Sequence, residues 1–317
     1  MNTAIIMITG YARSGTKLLN KILHQANLAQ YTPELQFVEN IWNIKDTSRI
    51  DPKTLNKMAQ QQMMKLAYGE GLFQENDYRE SLLAQLKNSI NNGEITQGAQ
   101  LYLSILQLIR GQYSHCLDST PRNIYYIDEF LTLSDRFKFV FLLRDPRDCI
   151  LSQKKKYKNY LRKKRYWEAL RLWLNYNPIL MAKLWARSFE IANTSKGEHC
   201  FIIQYERLTQ QPKLVLNELS AYLKCTLGDI NYTHINANNS EKWMAELPCS
   251  DVYWIQKTLS DFLNKAGYKE KPIGGWVVLY WFKILWYFLK MPLALILNLS
   301  RLKNPLDAIL RRLSFNQ

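Results

Sequence analysis

Cysteine is scarce in this sequence, and the few that are present form no pattern. The five, Cys116, Cys149, Cys200, Cys225 and Cys249, are widely spaced among 317 residues, odd in number and without a Cys-x-x-Cys pair. That excludes a zinc ribbon or a disulfide framework and leaves reduced core or surface thiols. Acidic residues are also short, with 27 Asp and Glu against 42 Lys and Arg, a formal net charge of +15. Such an excess favours a polyanionic partner, whether a membrane surface, a charged glycan, a nucleic acid or a highly charged nucleotide, and charge alone does not choose among them. An apolar leader is missing as well: a strand-like run begins at Ile5, which leaves no room for a signal peptide, a transit peptide or an amino-terminal anchor, so a cytoplasmic placement is expected. A hydrophobic content of 47% with 22% charged residues excludes a disordered chain and allows one large α/β domain or a domain with an appendage.

What the sequence does carry is a strand, loop and helix at its start. Ile5-Ile6-Met7-Ile8-Thr9-Gly10 runs into Tyr11-Ala12-Arg13-Ser14-Gly15-Thr16-Lys17, after which Leu18, Leu19, Ile22 and Leu23 recur at helical spacing. The first turn of such a helix leaves backbone N–H groups unpaired at the positive end of the macrodipole, so an anion is its natural occupant. Ser14 and Thr16 add hydroxyls, and Arg13 can grip two oxyanion oxygens at once. A nucleoside-triphosphate P-loop needs Lys directly after its second Gly. Here Gly15 is followed by Thr16 and only then by Lys17, a slip that turns the lysine through about 100° around the helix.

A second block has similar logic. Phe137–Leu143 reads as a parallel strand buried on both faces, and Arg144-Asp145-Pro146-Arg147-Asp148 follows. Pro146 starts a helix with Asp145 as its N-cap, Arg144 sits at the carboxyl end of the strand, and Ser152 falls two turns on. One guanidinium and one hydroxyl converging there suit a phosphate monoester. Between the blocks, Tyr31–Val38 predicts a short second strand through the alternation of Leu35 and Phe37, with Glu34 near its start as a solvated carboxylate beside a turn and Glu39 close by. Residues 52–110 read as a helical insertion, broken near Gly69-Glu70-Gly71 and Asn91-Asn92-Gly93, that shapes an acceptor pocket. Cys200–Leu208 reads as another strand entering a polar turn, and Pro212 opens a helix.

These blocks resemble the sulfotransferases that use 3′-phosphoadenosine 5′-phosphosulfate (PAPS), of the glycan, tyrosyl-protein and bacterial type. Arg13-Ser14-Gly15-Thr16 is similar to the 5′-phosphosulfate loop, commonly Arg-Ser-Gly-Thr-Thr-Leu, with Lys17 in place of the second Thr. Arg144-Asp145-Pro146-Arg147-Asp148 with Ser152 is similar to the 3′-phosphate site. The resemblance, over residues 3 to 268, implies a doubly wound parallel sheet of P-loop nucleotide-binding type, with a helical insertion, a helical C-terminal tail and no catalytic metal. It implies that Arg13, Ser14, Gly15, Thr16 and Lys17 hold the phosphosulfate, Arg144 and Ser152 the 3′-phosphate, and Glu34 the acceptor proton. Tyr205 would contact the base side of the nucleotide, and Ser240 and Lys242 would close over it. Many members carry Lys-Thr-Pro where this chain has Ser119-Thr120-Pro121. A positive charge must then come from elsewhere, with Arg122, Lys17 and Arg13 as candidates.

The expected division is a catalytic domain over 1–272 and a hydrophobic, basic helical segment over 273–317. Trp276–Leu299 is apolar or aromatic almost all round, interrupted by Lys283, Lys290 and Pro292, which suits an interfacial segment better than a spanning one. Arg301, Lys303, Arg311 and Arg312 follow. Contact through 276–312 with the inner face of the cytoplasmic membrane is therefore expected. The basic, aromatic-interleaved band from Lys154 to Trp167 reads as a solvated helical surface along the cofactor's rim. The expected acceptor is a hydroxyl or amine of a glycan or glycolipid, with a peptide as a further option and no nucleic acid. Two competing readings are a P-loop-type nucleotide kinase and a non-catalytic basic protein that binds membranes or polyanions.

Overall fold

The computed structural model describes residues 4–67, 71–232, 235, 240–274, 277–299 and 310–312. Trp276, Arg301 and Lys303 of the expected tail lie outside the described residues. The chain opens with strand β1 (Ile5–Gly10), the glycine-bounded loop and helix α1 (Thr16–Gln25). A four-residue helix, α2 (Phe37–Asn40), leads into the insertion, α3 (Pro52–Leu66), α4 (Asn76–Asn91) and α5 (Gly98–Arg110). The core resumes with β2 (Cys116–Asp118), α6 (Ile127–Leu133), β3 (Phe137–Leu143), α7 (Pro146–Arg162), α8 (Tyr166–Leu174), α9 (Pro178–Thr194) and β4 (Cys200–Gln204). Helices α10 (Tyr205–Gln210), α11 (Pro212–Leu223), α12 (Trp243–Glu246), α13 (Cys249–Lys265) and α14 (Val277–Leu299) follow.

Proline sets several of these starts, because its fixed φ and missing N–H suit the first helical position. Pro52, Pro146, Pro178 and Pro212 each open a helix. Asp51, Asp145 and Asn177 supply the capping oxygens for the first three, accepting from backbone N–H groups one or two residues into the helix.

The sheet is parallel, in the order β2-β1-β3-β4, with Ile5 opposite both Cys116 and Phe137 and Phe139 opposite Cys200. From β1 the chain passes first to one neighbour and then to the other. The crevice of such a sheet opens where that reversal occurs, beyond the carboxyl ends of β1 and β3. Side-chain alternation divides the core accordingly. Ile5, Met7, Phe137, Phe139 and Phe141 pack with the insertion, α9 and α13 on one face. Ile6, Ile8, Val140 and Leu142 pack with α1 and α11 on the other. Cys116, Cys149 and Cys200 are buried in this core as free thiols, and burial pushes the last two up to about 12.

The expected second strand over Leu35 and Phe37 is absent: residues 31–36 form an irregular extended stretch that turns into α2. Leu35 and Phe37 are buried as their alternation required, but side chains satisfy the backbone in place of a ladder. Asn20 Nδ2 donates to Thr32 O at 2.6 Å, Gln62 Nε2 to Leu35 O at 3.2 Å, and Gln36 N donates to Thr120 Oγ1 at 2.9 Å. The polar turn expected after β4 is helical, and Tyr205 opens α10.

Candidate active site

The loop after β1 is shaped by two glycines and one strained arginine. Gly10 has φ +152°, and a Cβ there would lie 2.7 Å from Leu142 O on β3. Gly15 has φ +104°, and a Cβ there would meet the Tyr205 ring at 2.6 Å. Between them Arg13 holds φ +76°, a left-handed conformation that a side chain adopts at a cost and that recurs at functional sites. Ser14 N closes the turn on Tyr11 O at 3.1 Å. Gly15 gives α1 no capping side chain, and the first turn of the helix holds no acidic residue, so its positive end faces the crevice uncompensated by charge.

Arg144, at the end of β3, braces that loop. Its Nη1 donates to Arg13 O at 3.0 Å, its guanidinium stacks 4.3 Å from the centre of the Tyr205 ring, and its own carbonyl accepts from Trp185 Nε1 at 3.0 Å. Tyr205 is therefore buried between Gly15 and Arg144, as a support under the expected phosphate contacts. The two expected phosphate sites adjoin: Arg13 Nε donates to Ser152 Oγ at 2.9 Å.

The remaining residues of the second block hold the C-terminal part of the domain. Arg147 is buried, its guanidinium bonded to both carboxylate oxygens of Asp145 and to Gln256, and lies 3.9 Å over the Trp243 ring. Asp148 accepts from Glu241 N at 2.7 Å and from Trp243 N at 3.1 Å. Its carboxyl is raised by burial and then by Asp145, against those two hydrogen bonds. Ser240 and Lys242 flank Glu241 and are strapped to the first turn of α7 by this carboxylate, although neither lines the cavity described next.

A cavity of about 380 Å³ opens beside the loop, lined by Arg13, Lys17, Ser152, Lys156, Asn159, Tyr160, Lys163 and Arg165. Five of these are cationic, and among the described lining residues none is acidic. Lys17 thus lines the same cavity as Arg13 despite its shifted register. Lys156, Lys163 and Arg165 belong to the basic band expected along the cofactor's rim, and the cavity adds Asn159 and Tyr160 to them. A signal was present, because Ser152, Lys156 and Asn159 recur at intervals that place them on one face of α7, and Lys163 follows one turn on as the cap of that helix. Lys156 is lowered from its ordinary value by burial and then by Arg13, while Glu34 opposes the shift. It therefore lies within the field of both residues expected to do chemistry.

Glu34 is exposed, and its Oε2 accepts from Gln36 Nε2 at 2.8 Å. Its stretch of chain is fixed on both sides, at Thr32 by Asn20 and at Gln36 by Thr120. Ser119 is buried and serves this scaffold: its hydroxyl accepts from Asn20 Nδ2 at 2.9 Å and donates to Thr32 O at 3.1 Å. On the far side, Lys65 donates to Gln36 O at 3.3 Å and is pushed down to about 8 by burial and by Arg122. Arg122 therefore stands with Lys65, and neither it nor Lys65 lines the cavity. The side chain of Glu39 lies outside the described residues.

A sulfotransferase family model matches residues 5–229, which span every element from β1 to α11. This chain belongs to the sulfotransferase family. The sulfotransferase is similar to the sulfotransferase domain from the curacin biosynthetic pathway, at 16% identity and a TM-score of 0.51, over 86% of this chain and 99% of that one. It is also similar to the sulfotransferase domain of the Synechococcus PCC 7002 olefin synthase, at 17% identity and a TM-score of 0.49, over 86% and 96% of the two chains. The Alicyclobacillus acidocaldarius sulfotransferase matches at 14% identity and a TM-score of 0.47, over 85% and 98%. The first of these supports a shared P-loop-like fold. A comparison with curated protein sequences returned no match.

Proposed function

We propose that this sulfotransferase moves a sulfuryl group from PAPS to a hydroxyl or amine of a glycan or glycolipid, with Glu34 as general base. One observation carries the reading: a cavity with five cationic side chains and, among the described residues, no acidic one lies at the β1/β3 crevice, and Glu34 shares the field of its Lys156. The donor set suits a nucleotide phosphorylated at both the 3′ and 5′ positions. Arg13, Lys17 and the amides of Gly15 and Thr16 would hold the phosphosulfate end, on a turn that the Ser14 amide closes against Tyr11 O, and Arg144 and Ser152 the 3′-phosphate. When bound, PAPS supplies the sulfuryl group and a phosphate oxygen that leaves. Ser240 and Lys242, strapped to α7, would close over the nucleotide.

The chain's own residues then have distinct tasks. Glu34 takes the proton of the attacking acceptor, a role for which its exposed, tethered carboxylate is available. Arg13 and Lys156 oppose the charge that grows on the departing oxygen. Lys156 supplies the cation that position 119 lacks, since Ser119 is committed to Thr32 and Asn20. Much of the rate enhancement would come from orientation on a rigid loop.

The test is Glu34→Gln, which keeps size and polarity. Sulfate transfer from labelled PAPS to a panel of glycan and glycolipid acceptors should fall roughly 10²–10⁴-fold, with 3′,5′-ADP affinity nearly unchanged. Normal turnover in this variant would remove Glu34 from the mechanism.

A further inference from the structure

Helix α14 is long and apolar enough to cross a membrane, yet only 17% of its most apolar window is buried inside the protein. One side is pinned inward by polar groups. Tyr287 donates to Asp251 Oδ1 at 2.9 Å, Lys283 pairs with the same carboxylate at 3.0 Å, and Lys290 donates to Trp173 O at 3.3 Å and Tyr176 O at 3.4 Å. Asp251 is fully buried and also bonds Lys154 and Tyr176, so the helix is tied to α7, the end of α8 and α13 together. The other side presents Leu279, Phe282, Leu285, Trp286, Leu289 and Ile296, each more than half exposed. A helix that crossed a bilayer would carry Lys283 and Lys290 away from these partners, at a cost of several kcal/mol each. Lying flat, it keeps every one of them.

The exposed face does not end with α14. Helix α8 packs beside it, with the Trp173 and Trp286 rings 6.3 Å apart and Arg171 bonded to Asn298 at 3.0 Å. At its start Tyr166 and Trp167 are 64% and 80% exposed. Immediately before them come Arg162, the last residue of α7, and Lys163, Lys164 and Arg165 in the turn that follows, all exposed, and Lys163 and Arg165 line the cationic cavity. An apolar, aromatic surface thus continues into a basic lip, and that lip is the wall of the proposed donor site. Aromatic residues with flanking cations match the interface of an anionic bilayer, where rings sit at headgroup depth and each basic residue near the surface adds attraction.

We infer that α8 and α14 form an in-plane docking surface for an anionic lipid bilayer, which sets the mouth of the cavity against the headgroups, so that the acceptor is drawn from membrane lipid. The acceptor class rests on the function proposed above; the docking surface does not. The full chain should sediment with vesicles of phosphatidylcholine and phosphatidylglycerol at least about tenfold more than with phosphatidylcholine alone. Phe282→Ser/Leu285→Ser/Leu289→Ser should abolish sedimentation, and Arg162→Glu/Lys164→Glu should remove the preference for the anionic vesicles. Both variants should keep the wild-type melting temperature and 3′,5′-ADP affinity, none of these residues lining the cavity. Label from PAPS should enter the chloroform-soluble fraction of a total cell extract. Wild-type protein left in the supernatant, or a serine variant that sediments normally, overturns the docking surface. A wild-type dimer that the serine variant dissociates, without vesicle binding, makes the face an interface between copies instead. Label confined to water-soluble products, or present in neither fraction while vesicles bind, removes the lipid acceptor. Loss of 3′,5′-ADP binding with docking intact would instead count against the donor site.

Discussion

Arg13 carries more of the proposed chemistry than any other side chain, and its surroundings explain why it is held in a costly conformation. Its backbone is left-handed, its carbonyl is gripped by Arg144, and its side chain reaches Ser152. That conformation goes with a guanidinium lying between the loop and α7, where it meets Ser152. Lys156 stands in the same cavity, with its charge disfavoured by burial and by Arg13. If it opposes charge on the leaving oxygen, Lys156→Ala should lower turnover by roughly 10²-fold while weakening 3′,5′-ADP much less, and Lys156→Arg should recover part of the loss. Equal effects on turnover and affinity in a titration series would reduce Lys156 to a binding contact. The role of Arg13 could be read from its neighbours in sequence. That of Lys156 lay in a helical phase relation with Ser152, obscured by the run of basic residues around it.

Elements explain how these residues are held at all. The opening strand, loop and helix and the Asp145-capped start of α7 were legible because each depends on local chemistry: glycine at positive φ, proline at a first helical position and a carboxylate cap. The misread stretch was Leu35 to Phe37, whose apolar alternation fits a strand equally well. What decided it was Asn20, Gln62 and Thr120, residues distant in sequence that take up its backbone groups. Gly15 is a local requirement that can be tested. Gly15→Ala forces a Cβ to 2.6 Å from Tyr205 at a strained φ. It should cost about 1–3 kcal/mol of stability and displace Arg144, with a matching loss of 3′,5′-ADP affinity; a melting curve and nucleotide affinity both equal to wild type would contradict that packing.

The Asp251 hub predicts a pH response at the same scale. Burial alone would raise this carboxyl, but Lys154, Tyr176 and Lys283 outweigh it and hold its folded value below the ordinary 3.8. A depressed carboxyl stabilises the fold fully above its unfolded value, and that contribution is lost as pH falls through the folded one. Protection of the α14 amides against hydrogen exchange, taken relative to their intrinsic rates, should therefore fall as pH drops below about 4, with α1 less affected. In Asp251→Asn exchange should already be fast near pH 6, and an acid response equal to wild type in that variant would exclude the hub as its source.

Across the whole molecule, charge and architecture converge on one place. The sheet reverses its winding between β1 and β3, the first turn of α1 and the end of β3 meet there, and α7 extends a basic face alongside. The net charge of +15, ambiguous by itself, becomes specific when five cations and, among the described residues, no carboxylate line one cavity. The sequence motifs located that crevice, but not that the two phosphate sites adjoin, because the Arg13 to Ser152 contact depends on how α7 lies across the loop.

Calorimetric titration with 3′,5′-ADP and with 5′-AMP, on wild type and on Arg144→Ala, tests the donor site most directly. Wild type should bind 3′,5′-ADP at one saturable site, more tightly than 5′-AMP by about 1.5–3 kcal/mol, the value of hydrogen bonds to a charged group, and Arg144→Ala should erase most of that preference. Equal affinity for the two nucleotides in wild type, or a preference untouched by the substitution, would contradict the assignment of the crevice to a 3′-phosphorylated donor.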